Sequence, residues 1–182
     1  AAVDVTGYAC LVAIMAMGKG YHRESQARLH KVTVDNGNPA PVVSSAGALV
    51  DSLHTMGARR ISIVAPYMKP LTKMVADYIE EEGVEVADFV ALEIPDNLEV
   101  AAQDPNNLID IYKRLDLRNI DALVLSACVQ MPSLSAIQKV EDECGIPVLS
   151  ASVATTYQML TKLGLEPRIP GFGSLLSGAY AR

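Results

Sequence analysis

Tryptophan is absent and phenylalanine occurs only twice. A core must therefore come from Val, Ile, Leu, Ala and Met. The chain is 50% hydrophobic and 20% charged, a balance that excludes intrinsic disorder. A basic excess is also missing: 15 Lys and Arg stand against 21 Asp and Glu, a formal net charge of −6. Phosphate backbones are gripped by clustered cations, so no nucleic-acid partner is expected. The one dense charge run, Glu80-Glu81-Glu82, reads as a solvated helix end. No apolar run approaches the ~20 residues that span a bilayer. Residues 9–17 are apolar but short, and they lack the basic flank and cleavage signature of a leader. These absences predict a soluble cytoplasmic protein with no membrane partner. In that reducing setting the three cysteines read as free thiols.

Several motifs are missing as well. G-x-S-x-G does not occur, so no hydrolase elbow is present. The run GFGSLLSG at residues 171–178 imitates a dinucleotide loop, but Leu176 stands where the third glycine belongs. It reads as a flexible turn leading into a terminal helix. His22, His30 and His54 lack metal-ligand spacing with the cysteines, so neither a metal nor an organic cofactor is expected. Cys144 sits late in a helix, just before Gly145, and is assigned to packing. Linkers and low-complexity segments are absent.

What is present alternates short apolar runs with helical segments, the signature of parallel α/β architecture. Residues 3–10 read as a buried strand. A helix over 22–34 is stopped by Asp35-Asn36-Gly37-Asn38-Pro39. Ser44 or Ser45 caps a helix that runs to Met56 and stops at Gly57. RISIVA at 60–65 is a strand, followed by an amphipathic helix over 70–82 that ends at Gly83. Residues 84–94 form a strand with polar interruptions. Asp104-Pro105 opens a helix carrying Leu108, Ile111, Tyr112 and Leu115. A continuous apolar strand over 122–127, a helix over 134–144, a short strand at 147–150 and a helix over 153–163 complete the pattern.

In an open parallel sheet, sites form beyond the carboxyl ends of the strands. Those ends present Cys10, then Pro66-Tyr67, then Asp96-Asn97, then Ser126, Cys128 and Gln130. There is one internal echo: VDVTGYACLV and DALVLSACVQ both end a strand on Ala-Cys followed by a branched apolar residue. Each residue also has a plain reading. A cysteine behaves as a small buried hydrophobe, Tyr67 can close a core edge, and Asn97 can be a turn residue capped by Asp96. Two thiols at equivalent strand ends, both leading toward helix N-termini that favour thiolates, shift the balance toward chemistry.

Four segments carry a family resemblance: YACLVAIMA around Cys10, VAPY at 64–67, IPDN at 94–97 and SACVQMPS around Cys128. Together they resemble maleate cis-trans isomerases of the aspartate/glutamate racemase superfamily, in order and over nearly the whole chain. VAPY alone is shared with related decarboxylases and racemases. The resemblance implies two pseudo-symmetric, flavodoxin-like α/β lobes with parallel sheets and an active site buried between them. Residues 47–164 would form one lobe, and residues 1–46 with 165–182 the other. The resemblance also implies an earlier strand with a substrate-binding Asn, which this sequence lacks, so the first lobe is expected to be incomplete.

By resemblance, Cys10 is the nucleophile that forms a succinyl-cysteine-like adduct, and Cys128 handles the proton on the other carbon. Tyr67 and Asn97 would hold the carboxylates of a small dicarboxylate, with backbone N–H groups such as those of Val12 and Val129 as further donors. The resemblance also implies cofactor-independent turnover, a homodimer and a place in nicotinate breakdown. Three alternatives stay open: racemisation of an amino acid by the same two thiols, decarboxylation of an aryl-malonate by one, and a flavodoxin-like module that binds a ligand without chemistry. Leu11 and Val12 after Cys10 make an apolar wall that suits an alkene better than an α-ammonium group.

Overall fold

The computed structural model describes residues 2–180. Among them the chain forms two parallel sheets. The larger has the order β4-β3-β5-β6, with β3 at Arg60–Ala65, β4 at Glu85–Ala91, β5 at Ala122–Ser126 and β6 at Val148–Ser150. Its two inner strands, RISIVA and ALVLS, are buried almost throughout. Helices cover parallel strands on both faces, so inner strands read as continuous apolar runs rather than as alternation. Asp121 pins the start of β3 by accepting the backbone N–H groups of Arg59 and Arg60 at 2.8 and 2.9 Å.

The helices of this sheet follow their sequence signals. Helix α4, Lys69–Glu81, carries Pro70 in its first turn and buries Thr72, Val75, Ala76 and Ile79, the i, i+3, i+4, i+7 stripe of an amphipathic helix. Helix α7, Leu134–Cys144, buries Ala136, Ile137 and Val140 and ends on Gly145 in the left-handed conformation.

The smaller sheet pairs β1, Thr6–Tyr8, with β2, Val42–Ser44, so that Tyr8 stands opposite Ser44. Between them lie α1 at Leu11–Met15 and α2 at Tyr21–Asp35. Helix α3, Ser45–Met56, follows β2, and the Ser44 hydroxyl caps it by accepting the Gly47 N–H. Space at Gly47 is tight: a Cβ there would lie 2.5 Å from Gln26 Nε2, so the Gln26 side chain would have to move.

Helix α3 packs on α8, Ala151–Lys162. Gln158 Nε2 of α8 donates to Ser52 Oγ of α3 at 3.5 Å, and Met159 of α8 lies directly over Gly7 of β1. The pair thus joins the two sheets. A second tie is polar. Buried His22 on α2 hydrogen-bonds Tyr78 on α4, and Arg23 forks onto both oxygens of Glu82 at 2.9 Å.

The structure corrects several expectations. The strand expected over 3–10 has three residues and is largely exposed, because its one described strand neighbour is β2. Strand β2 itself was not anticipated. The helix expected after Asp104 is broken into a 3₁₀ turn at Pro105–Asn107, α6 at Leu108–Ile111 and a second 3₁₀ turn at Tyr112–Arg114. The run over 171–178 is a turn, as expected, and holds a single 3₁₀ turn at Ser174–Leu176; the terminal helix expected to follow it falls partly on residues 181–182, outside the described residues. Gly171, Gly173 and Gly178 all take positive φ, which interrupts helical winding. Glu141 fixes the turn by accepting the Ser174 N–H and hydroxyl at 3.0 and 2.8 Å. Leu175 and Leu176 are buried there. The tail packs on α7, β6 and α8. Two short helices were also unread: α1, and α5 at Asn97–Ala101.

Candidate active site

Four strand ends converge on the candidate residues. Cys10 leaves β1 in an extended conformation as the residue before α1, and it is exposed. The first-turn N–H groups of a helix have no partner within it, and those of α1 include half-buried Val12. On the larger sheet, Cys128 leaves β5 and is 5% exposed. Its own carbonyl accepts the Ser126 hydroxyl at 2.8 Å, and the Ala127 N–H reaches back to Val64 O at 2.8 Å. These bonds fix the turn that carries the thiol. Val129 next to it is half-buried.

Tyr67 lies two residues beyond β3, and its hydroxyl donates to the Ala127 carbonyl at 3.2 Å, next to Cys128 in the chain. The phenol is held far above its ordinary pKa. Burial contributes most, with the two cysteines adding to it. The hydroxyl therefore remains a protonated, neutral donor throughout the physiological range.

Asn97 opens α5 and is exposed. Asp96 caps this helix by accepting the Leu98 and Glu99 N–H groups at 2.7 and 3.1 Å, as its plain reading anticipated. The Asn97 carbonyl accepts Nε2 of Gln130 at 2.7 Å, which joins Asn97 to the Cys128 turn.

Cys144 lies apart from this group, at the far end of α7. Its thiol contacts Ile146 O at 3.6 Å and is pushed up by burial, as befits a packing residue. His22 belongs to the structural tie described above, and no metal-holding group of His, Cys, Asp or Glu occurs among the described residues. No helix among them is long and apolar enough to cross a membrane.

Two features escaped sequence reasoning. The Gln130–Asn97 bond joins residues 33 apart, and no local pattern announces it. Ser133, which precedes α7, is 2% exposed and its hydroxyl has no partner among the described residues. A thiol and a neutral phenol stand together at the β3 and β5 ends, and a second thiol stands at the end of β1.

The family model for arylmalonate decarboxylase matches residues 4–176. The chain is 64% identical over 180 residues to the maleate isomerase of Pseudomonas putida (strain KT2440), covering 99% of this chain and 72% of that protein. A solved structure of a cysteine-to-alanine form of the maleate isomerase from Pseudomonas putida S16 with maleate is similar at a TM-score of 0.97 and 58% identity, over 99% of this chain and 72% of that one. The Nocardia farcinica maleate cis-trans isomerase, solved as a cysteine-to-serine mutant with a covalently bound succinylcysteine intermediate, is similar at 0.94 and 44% identity, over 97% and 72%.

Proposed function

The chain belongs to the arylmalonate decarboxylase family and, within it, to the maleate isomerases, and from that premise we propose that Cys10 and Cys128 carry the isomerisation of maleate to fumarate. The observation that carries this reading is the place of Tyr67, whose hydroxyl donates to the Ala127 carbonyl beside Cys128, in a chain 64% identical to a maleate isomerase.

The C=C bond of maleate cannot rotate. The Cys10 thiolate adds to one alkene carbon, and the π pair moves to the other carbon and its carboxylate as an enediolate. Tyr67 and Asn97, with the N–H groups of Val12 and Val129, donate to the carboxylates as that charge develops. The Cys128 thiol delivers its proton to the carbanionic carbon, leaving a succinyl-cysteine on Cys10. Rotation about the new single bond brings the carboxylates trans. Cys128 then takes a proton back, the C–S bond breaks, and fumarate leaves with both cysteines in their starting states. The succinylcysteine in the Nocardia enzyme, seen with one cysteine replaced by serine, supports a division of labour between a bond-forming and a proton-handling cysteine.

The same reading takes the unit around β1–β2 and the unit around β3–β6 as two lobes that each lend a thiol. It also takes the protein as a homodimer in the cytoplasm. Free thiols fit a reducing compartment, and two-fold symmetry is the commonest form of homo-oligomer.

Conversion of maleate to fumarate followed by proton NMR, together with intact-mass spectrometry, tests the assignment. Cys10→Ala is expected to abolish both turnover and adduct. Cys128→Ala should cripple turnover while an adduct still forms. Cys144→Ala should stay near the parent. An adduct mapped to Cys144, or full turnover without Cys10, overturns the assignment.

A further inference from the structure

Hydrogen bonds join the loops that leave β3, β4 and β5. Residues 92–94 run back along residues 65–67: Leu92 N–H donates to Ala65 O at 2.9 Å, Glu93 N–H to Tyr67 O at 3.2 Å and Ile94 N–H to Pro66 O at 2.9 Å. Tyr67 is further tied to the third loop through Ala127 O. Tyr67 is therefore held from both sides.

Asn97 is held differently. It lies on a five-residue helix whose one buried side chain is Val100, and its neighbour Leu98 is 79% exposed. Asp96 organises the start of this helix from within and fixes nothing outside it. What ties Asn97 to the Cys128 turn is the carboxamide of Gln130, donating to the Asn97 carbonyl at 2.7 Å. Gln130 is exposed, so burial does not explain its conformation. Ordering a glutamine side chain costs conformational entropy, and the hydrogen bond is what offsets it.

We propose that Gln130 is a positioning residue for the isomerisation: it fixes Asn97 relative to Cys128, so that the amide facing a substrate carboxylate and the thiol moving the proton act as one rigid unit. The inference rests on the isomerase reading above. Gln130 touches neither substrate nor reacting carbon in this role and acts through the backbone of Asn97. Misplacing a binding group by a fraction of an ångström lowers the rate of a step that needs an aligned geometry. The donor matters, not the length. Glutamate would set an acceptor against an acceptor, whereas methionine keeps the reach and removes the N–H.

The test is a double-mutant cycle. Gln130→Met is expected to lower kcat/KM roughly two- to tenfold, the loss of one neutral hydrogen bond, with thermal unfolding close to the parent. Gln130→Glu should lower it further. In an Asn97→Ala background, Gln130→Met should have no added effect, because the group it positions is gone. Measuring the rate of adduct formation as well as turnover lets slow variants be scored. Effects that multiply in the double variant, or a Gln130→Met variant equal to the parent, overturn the inference while leaving the isomerase reading intact. A parent protein that neither forms an adduct nor converts maleate defeats both.

Discussion

Replacing Tyr67 with Phe removes one oxygen and keeps the ring in its half-buried place beside Cys128. Two losses follow, and they are separable. The Ala127 carbonyl loses its donor, a neutral hydrogen bond of about 1 kcal/mol that registers as a small fall in Tm. The larger loss is catalytic. The hydroxyl is neutral and protonated, so in the ground state it meets a carboxylate that water solvates well. During addition the charge builds on that same carboxylate. A hydrogen bond to a charged group contributes about 1.5–3 kcal/mol, which converts to roughly a ten- to 150-fold fall in kcat. Because the interaction strengthens with developing charge, KM should move by less than about threefold. Steady-state kinetics on maleate read both constants, and calorimetry confirms that the variant folds. A change confined to KM would reduce Tyr67 to an anchor. No change in either constant would show that the site does not lie at this strand end.

Two further outcomes concern stability. Burial, with Arg23 beside it, lowers the pKa of His22 below its ordinary 6.5, so the native state resists a proton that the unfolded chain accepts. Stability should therefore fall as pH drops from 6.5 toward the lowered native value. Urea midpoints from pH 7 to 5 should show this slope, and His22→Gln should flatten it; equal slopes would place its cause elsewhere. Gly173 has φ +83°, and a Cβ there would lie 2.6 Å from Val148 O and 2.8 Å from Ile137 Cγ2. Gly173→Ala should then cost at least about 2 kcal/mol, read by thermal unfolding, and a variant as stable as the parent would mean that the tail does not press on β6.

The sheet was legible because its inner strands announce themselves. ALVL is an unbroken apolar run and RISIVA is interrupted after Arg60 only by Ser62, and the glycines at 57 and 145 close α3 and α7 where the pattern stops. The strand-end positions of Cys10, Tyr67, Asn97 and Cys128 were legible for a related reason, since each follows a strand and strand ends are where parallel sheets present side chains. Strand β2 was lost because three residues between prolines and a cap give no period to read. The error at residues 3–10 has a different source. Apolar composition suggested burial, but exposure depends on what lies alongside, which the local sequence does not encode. The same limit hid the ties His22–Tyr78 and Gln130–Asn97, which join residues 56 and 33 positions apart through polar atoms. Such pairs have no periodic signature.

The seam between α3 and α8 has a consequence for the two thiols it separates. Cys10 rides on the small sheet and Cys128 on the large one, so the helix pair that joins the sheets also fixes one thiol-bearing strand end relative to the other. Met159 presses on Gly7 in that seam: an added Cβ would lie 3.0 Å from its sulfur, so the pliable thioether would have to give. A substitution at either residue would therefore be felt as a shift between the two strand ends.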